Sequence, residues 1–152
     1  MKRFFVIWCM VVLTGCAAAM PGVVYVGPAA HRWEEIVRAN PLGPEENTKG
    51  VVLSNQPSVS HIIVQIRDRE QPHVHRTHDA TIVMLRGRGR LVLRDRIVPM
   101  RAGDTVLIPR GEPHYYVNEA SDPTVVLAMF TPSYDGTDAE VVPFEDRPAG
   151  AP

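Results

Sequence analysis

Residues 103–118 read GDTVLIPRGEPHYYVN. Glycine and proline punctuate this stretch at fixed distances, as Gly103, Pro109 and Gly111, and His114 and Asn118 follow. A turn at Gly103 leads into a short apolar run. A Pro/Gly corner then reverses the chain, and a second strand opens on histidine. Side chains alternate along a strand, so His114, Tyr116 and Asn118 share one face and Tyr116 is expected to look inward with the histidine.

The surrounding chain has the same texture. After Gly50 the runs VVLS, SVSHIIVQI, HVH, ATIVMLRG, GRLVLR, DTVLIP, HYYVN and TVVLAMF are rich in β-branched and aromatic residues, with Gly, Pro, Asp and Asn between them. Short strands in that rhythm predict an all-β sandwich or barrel rather than a parallel α/β sheet. Leu91 and Leu93 alternate with Arg88, Arg90 and Arg94, giving an apolar and a solvated face. The ten arginines between Arg67 and Arg110 are accordingly read as a solvated outer sheet face. One helix is expected over about 29–39, where Trp33, Ile36 and Val37 fall on one side, and Asn40-Pro41 stops it.

A second cluster lies upstream at residues 71–87, QPHVHRTHDATIVMLRG. His73 and His75 are two apart, so a strand sends both imidazoles to the same side. Imidazole is a ligand for Zn, Fe, Cu and Ni, and a carboxylate widens the choice to Mn. His114 from another strand would complete a facial set. An ion at 2.0–2.1 Å from each nitrogen would bring the three nitrogens to about 3–3.5 Å from one another.

The two clusters together resemble the paired signature motifs of the cupins. His73, His75 and Gly87 match the first motif, and Gly103, Pro109, Gly111, His114 and Asn118 match the second. The resemblance covers about 58–136. It implies a small antiparallel barrel (a double-stranded β-helix, or jelly roll) and a divalent ion, Zn, Fe, Mn or Ni, on three histidines and one glutamate. Two positions depart from the pattern. Arg67 stands where the first motif has glycine, and Ala80 stands where it has the glutamate. Three arrangements follow: His73, His75 and His114 alone with waters; a fourth ligand from His78 or Asp79, the latter through a bulge; or no metal. His78 has the parity of Ala80, and Ile82 and Met84 should line the wall beside it. His61, on the preceding long strand, either reaches the barrel mouth or is a satisfied histidine at the barrel edge.

Outside the barrel, the N-terminus reads as a targeting segment. Lys2 and Arg3 precede an apolar run from Phe4 to Thr14, too short for a membrane span of about 20 residues. The run ends in Leu13-Thr14-Gly15-Cys16, which resembles a bacterial lipobox. That resemblance implies cleavage before Cys16, lipidation of Cys16 (palmitate among its acyl chains), and a membrane-anchored protein facing the periplasm. Ala17 after the cysteine favours the outer membrane. The expected organisation is a signal peptide 1–15, a lipidated tether 16–28, one domain 29–144 and a disordered tail 145–152. With Cys9 lost and Cys16 lipidated, no thiol remains for catalysis or metal binding. Of 16 Lys and Arg, Lys2 and Arg3 leave with the leader, so 14 face 17 Asp and Glu, a net charge of −3. That balance points away from nucleic acid.

Three functions are open on these grounds. The first is a metal-dependent enzyme of dioxygenase or isomerase type acting on a small molecule, with Tyr116, His78 and Asp79 as catalytic candidates. The second is a non-catalytic module at the envelope that binds a metal or small ligand. The third is a structural envelope protein that self-associates as a homodimer, with the 51–66 region exchanging a strand.

Overall fold

A computed structural model describes residues 22–26 and 29–144. The leader, Cys9, Cys16 and the tail from residue 145 lie outside the described residues, as does most of the expected tether. The elements in chain order are β1 (Val24–Val26), β2 (Ala29–His31), α1 (Trp33–Ala39), β3 (Thr48–Gln56), β4 (Val59–Ile66), β5 (His73–His75), β6 (Asp79–Arg86), β7 (Arg88–Leu93), β8 (Ile97–Arg101), β9 (Thr105–Ile108), β10 (His114–Asn118), β11 (Thr124–Thr131) and β12 (Ala139–Val141).

Two five-stranded antiparallel sheets make the barrel. One runs β12-β5-β10-β7-β8 and the other β3-β4-β11-β6-β9. The main core lies between them and includes Ile62, Ile66, Met84, Leu91, Leu93, Tyr116, Val126 and Phe130. Strand alternation decides which side chains enter it. On β4, Ile62, Val64 and Ile66 face inward, while Ile63 packs outside with Trp33, Leu85 and Val125. Trp33 is 2% exposed. It belongs to α1, so the helix is held by this outer core; a buried tryptophan of 150–250 Å² contributes about 4–6 kcal/mol gross.

Four sequence expectations meet a different structure. The helix begins at Trp33, because Ala29–His31 pair as a strand with Val24–Val26. Strand β8 was hidden by Pro99; it is the edge of its sheet, where a missing N–H costs no ladder bond. Strand β12 is three residues long and fully exposed, so it carries no apolar alternation. Parity turns His61 to the outer face of β4 with Ile63 and Gln65, away from the mouth. Among the described residues no helix is long and apolar enough to cross a membrane.

Candidate metal centre

The three motif histidines come from adjacent strands of one sheet. His73 and His75 lie on β5, His114 opens β10, and His73 is the direct cross-strand partner of His114. The corner that aims His114 is tied to the other motif, since Gly111 donates its N–H to the His75 carbonyl at 2.7 Å. Gly111 sits at φ +80°, a conformation that side chains resist. The ring centroids of His73 and His114 are 4.4 Å apart, and those of His75 and His114 5.6 Å. One ligand nitrogen from each of the three lies within 4.8 Å of the others. A bound ion would hold these nitrogens about 3–3.5 Å from one another.

The chemistry of the donors fits a cation. His73 donates Nδ1–H to the Gln71 carbonyl at 2.8 Å, and His114 donates Nδ1–H to the Glu112 carbonyl at 2.9 Å. A carbonyl only accepts, so in both rings Nε2 keeps its lone pair. Burial, aided by His73, pushes His75 down to about 4 and His114 down to about 3. Both rings are therefore neutral at neutral pH, the form in which an imidazole can bind a cation.

The fourth position is different. Ala80 is 2% exposed and faces the core, with Phe130 and Ile108 as its neighbours across β11 and β9. Ile82 and Met84 line the same cavity. Asp79 points away. The β6–β11 register runs unbroken through Asp79, Ala80 and Thr81, and its one irregularity lies at Val125/Val126, so no bulge turns Asp79 inward. Its carboxylate instead holds Arg110, at 2.8 Å to Nη2 and 2.9 Å to the backbone N–H, and these bonds keep it at about 2. His78 is buried but engaged at both ring nitrogens, with Asp138 at 2.6 Å from Nδ1 and the Ser133 carbonyl at 3.0 Å from Nε2. Among the described residues the cluster is His73, His75 and His114, without His78 or Asp79.

Tyr116 does enter the core, but its hydroxyl bonds Thr124 at 3.2 Å and burial raises it to about 12. The ring lies against Gly89, where an added β-carbon would clash with the Tyr116 hydroxyl. Asn118 is a clamp: it donates to the Arg67 and Asp122 carbonyls and accepts from Ala120 and Thr124.

Two cavities meet at the histidines. A mouth of about 730 Å³ is lined by Asn55, Gln71, Phe130, Tyr134 and Asp135 among others, and a deeper apolar cavity of about 80 Å³ lies behind it. Glu70, His73 and His75 border both. Glu70 was missed by sequence reasoning. It precedes Pro72 outside any strand, so no periodicity marks it. Its backbone N–H donates to the Tyr116 carbonyl and its carboxylate accepts the Tyr116 N–H at 3.0 Å. Burial raises the Glu70 carboxyl, against the opposing pull of His73 and the Tyr116 N–H. A second residue missed is Asp138, from the loop after β11. Burial works against its charge, but hydrogen bonds from His78, Thr77 and Arg76 hold its carboxyl well below the usual range.

Comparison with known proteins agrees with this architecture. The cupin domain family model matches residues 60–130. An uncharacterized protein of Aquifex aeolicus is 39% identical over 106 residues, 70% of this chain and 86% of that protein. Among solved structures, KdgF from a Halomonas species superposes with a TM-score of 0.56 at 21% identity, covering 61% of this chain and 87% of that one. Streptomyces Pac13, a nucleoside dehydratase, superposes at 0.58 with 18% identity, covering 67% of this chain and 83% of that one. At these identities the superpositions establish the shared fold. With both motifs on adjoining strands of one barrel, the chain belongs to the cupin superfamily.

Proposed function

We propose that this cupin is an enzyme holding one divalent metal ion on His73, His75 and His114 and acting on a small organic molecule in the adjoining mouth. The observation that carries the reading is the convergence of three histidine nitrogens, two of them with Nδ1 committed to a carbonyl. Three neutral ligands leave a bound ion its full charge and open positions, which suits polarising a carbonyl or a hydroxyl. The side chains around it do the rest. Glu70 stands where the mouth meets the deep cavity and is the carboxyl suited to take or return a substrate proton. Phe130 and Tyr134, stacked at 4.6 Å, form an apolar ledge beside it. His78, Asp79 and the Tyr116 hydroxyl are bound within the protein, and act by fixing loops and strands.

That engagement also supports a second reading, a non-catalytic module that binds the metal or a small ligand. The two divide on whether a small molecule is turned over. In both, the protein is anchored through a lipid on Cys16 to the periplasmic side of a membrane, the outer membrane being favoured by Ala17, and a homodimer is the expected assembly. The anchor rests on the lipobox-like sequence, and the homodimer on the cupin resemblance.

Metal analysis of protein purified without added metal tests the centre. Stoichiometric ion is expected in the wild type, and none in a His73→Ala, His114→Ala double variant that still folds. Wild-type protein that carries no ion and takes up none on titration overturns the reading. In the same cells, a Cys16→Ser variant should lose labelled palmitate and leave the membrane fraction.

A further inference from the structure

His75 differs from its two partners in what faces its far nitrogen. His73 and His114 spend Nδ1–H on backbone carbonyls. Nδ1 of His75 is buried with no hydrogen-bond partner. Leaving such a buried group unpaired is unfavourable, because it has given up water without gaining a partner. Oδ2 of Asp138 lies 3.8 Å from it, too far for a bond and about an ångström from making one.

Asp138 is well fixed. It accepts the Arg76 N–H at 3.1 Å, the Thr77 N–H at 3.1 Å and Nδ1 of His78 at 2.6 Å. The Thr77 N–H is shared between the two oxygens, at 3.2 Å from Oδ1 and 3.1 Å from Oδ2, so three donors occupy about four acceptor positions, and settling that N–H on Oδ1 frees one on Oδ2. We propose that Asp138 is the positioning residue of the centre: it takes the Nδ1–H of His75 and so directs Nε2 of that ring toward His73 and His114. The proposal rests on the metal reading above. An ion on Nε2 polarises the opposite N–H and strengthens its bond to a carboxylate, which draws the ring toward Asp138. Asp138 belongs to the loop after β11, whose Tyr134 and Asp135 line the mouth. The wall of the mouth and one ligand are thereby joined.

The test is Zn²⁺ titration of the full-length protein against a competing chelator, read together with ring-proton NMR on histidine-labelled protein. Asp138→Asn should weaken Zn²⁺ by about 10–100-fold. The hydrogen-bonded Nδ1–H of His75 should leave its downfield position, while those of His73 and His114 stay. Asp138→Glu keeps the carboxylate and should recover most of the affinity. Asn is isosteric with Asp and Glu is longer, so a role limited to capping residues 76–77 predicts the opposite ranking. Asn binding that changes by no more than about twofold, with the His75 proton unmoved, overturns the proposal. If Asp138→Asn fails to fold, the wild type decides: Zn²⁺-loaded protein without a hydrogen-bonded Nδ1–H on His75 overturns it as well. Wild-type protein that binds no Zn²⁺ removes the metal reading and this inference with it. Wild type and Asn variant binding equally removes only the role of Asp138.

Discussion

The two sheets of the barrel face each other across the site and contribute opposite chemistry. The sheet β12-β5-β10-β7-β8 brings three imidazoles to neighbouring positions on β5 and β10. The sheet β3-β4-β11-β6-β9 answers with Ala80, Ile82, Met84, Ala128 and Phe130, none of which ligates a metal. An ion held from one side only keeps its open positions toward an apolar wall and the mouth. That is a suitable arrangement for a guest molecule, because the wall excludes water while the ligand sheet fixes the ion. Removing the polar side altogether, by the His73→Ala, His114→Ala pair, is the most drastic way to break the contrast, and all metal should go.

Restoring the missing ligand to the apolar side is the next largest perturbation. Ala80→Glu would place a carboxyl on the wall that faces the histidines. Burying it without a cation should destabilise the metal-free protein by roughly 1–3 kcal/mol, and metal should recover that loss. Affinity for Zn²⁺ should rise by about tenfold or more, since an anionic ligand joins three neutral ones. Thermal unfolding with and without Zn²⁺ and chelator competition measure both effects. A variant that binds Zn²⁺ no better than wild type would mean that the wall at residue 80 does not face the centre.

The same contrast marks how far the sequence could be read. His73, His75 and His114 were legible because strand parity and motif spacing are local properties, and each could be placed on a face without knowing its partner. Ala80 was legible as an absence for the same reason. What completes the site comes from afar. Asp138 meets His78 across 60 residues, in a loop with no periodicity. Glu70 acquires its place by pairing with Tyr116, 46 residues on. No local pattern encodes such contacts. The Pro99 strand and the short β12 were lost because edge strands need neither full hydrogen bonding nor an apolar face.

Acidification probes the polar sheet without mutation. His75 and His114 are held below the ordinary histidine value of about 6.5, so the unfolded chain binds protons that the metal-free fold refuses. Stability from these rings is complete above that value and is lost as pH falls through 6 toward 4. Chemical denaturation of the metal-free protein at pH 5 should give a stability lower than at pH 7 by on the order of 2 kcal/mol, after discounting for partial solvent access. A His114→Gln variant should show a shallower pH slope, and an equal slope would remove His114 from the account.

The smallest effect is expected from Asp79, and its smallness is informative. Asp79 adjoins Ala80 in sequence and satisfies the spacing from His75, so it is the obvious substitute ligand by position. In the structure its carboxylate is turned outward onto Arg110, with exposed partners on both sides of the pair. Exposed pairs of this kind contribute little. Asp79→Asn keeps the shape and part of the hydrogen bonding to the Arg110 N–H. It should leave Zn²⁺ affinity unchanged in the chelator assay, because the variant touches only the outer face. Any indirect effect must pass from Arg110 to Gly111 and its bond to the His75 carbonyl, a path that changes the ring's position little. A loss of about tenfold or more, the size seen when an oriented ligand or its support is removed, would mean that Asp79 reaches the ion. In that case the two sheets share the metal, and the one-sided centre argued here gives way to a four-ligand one.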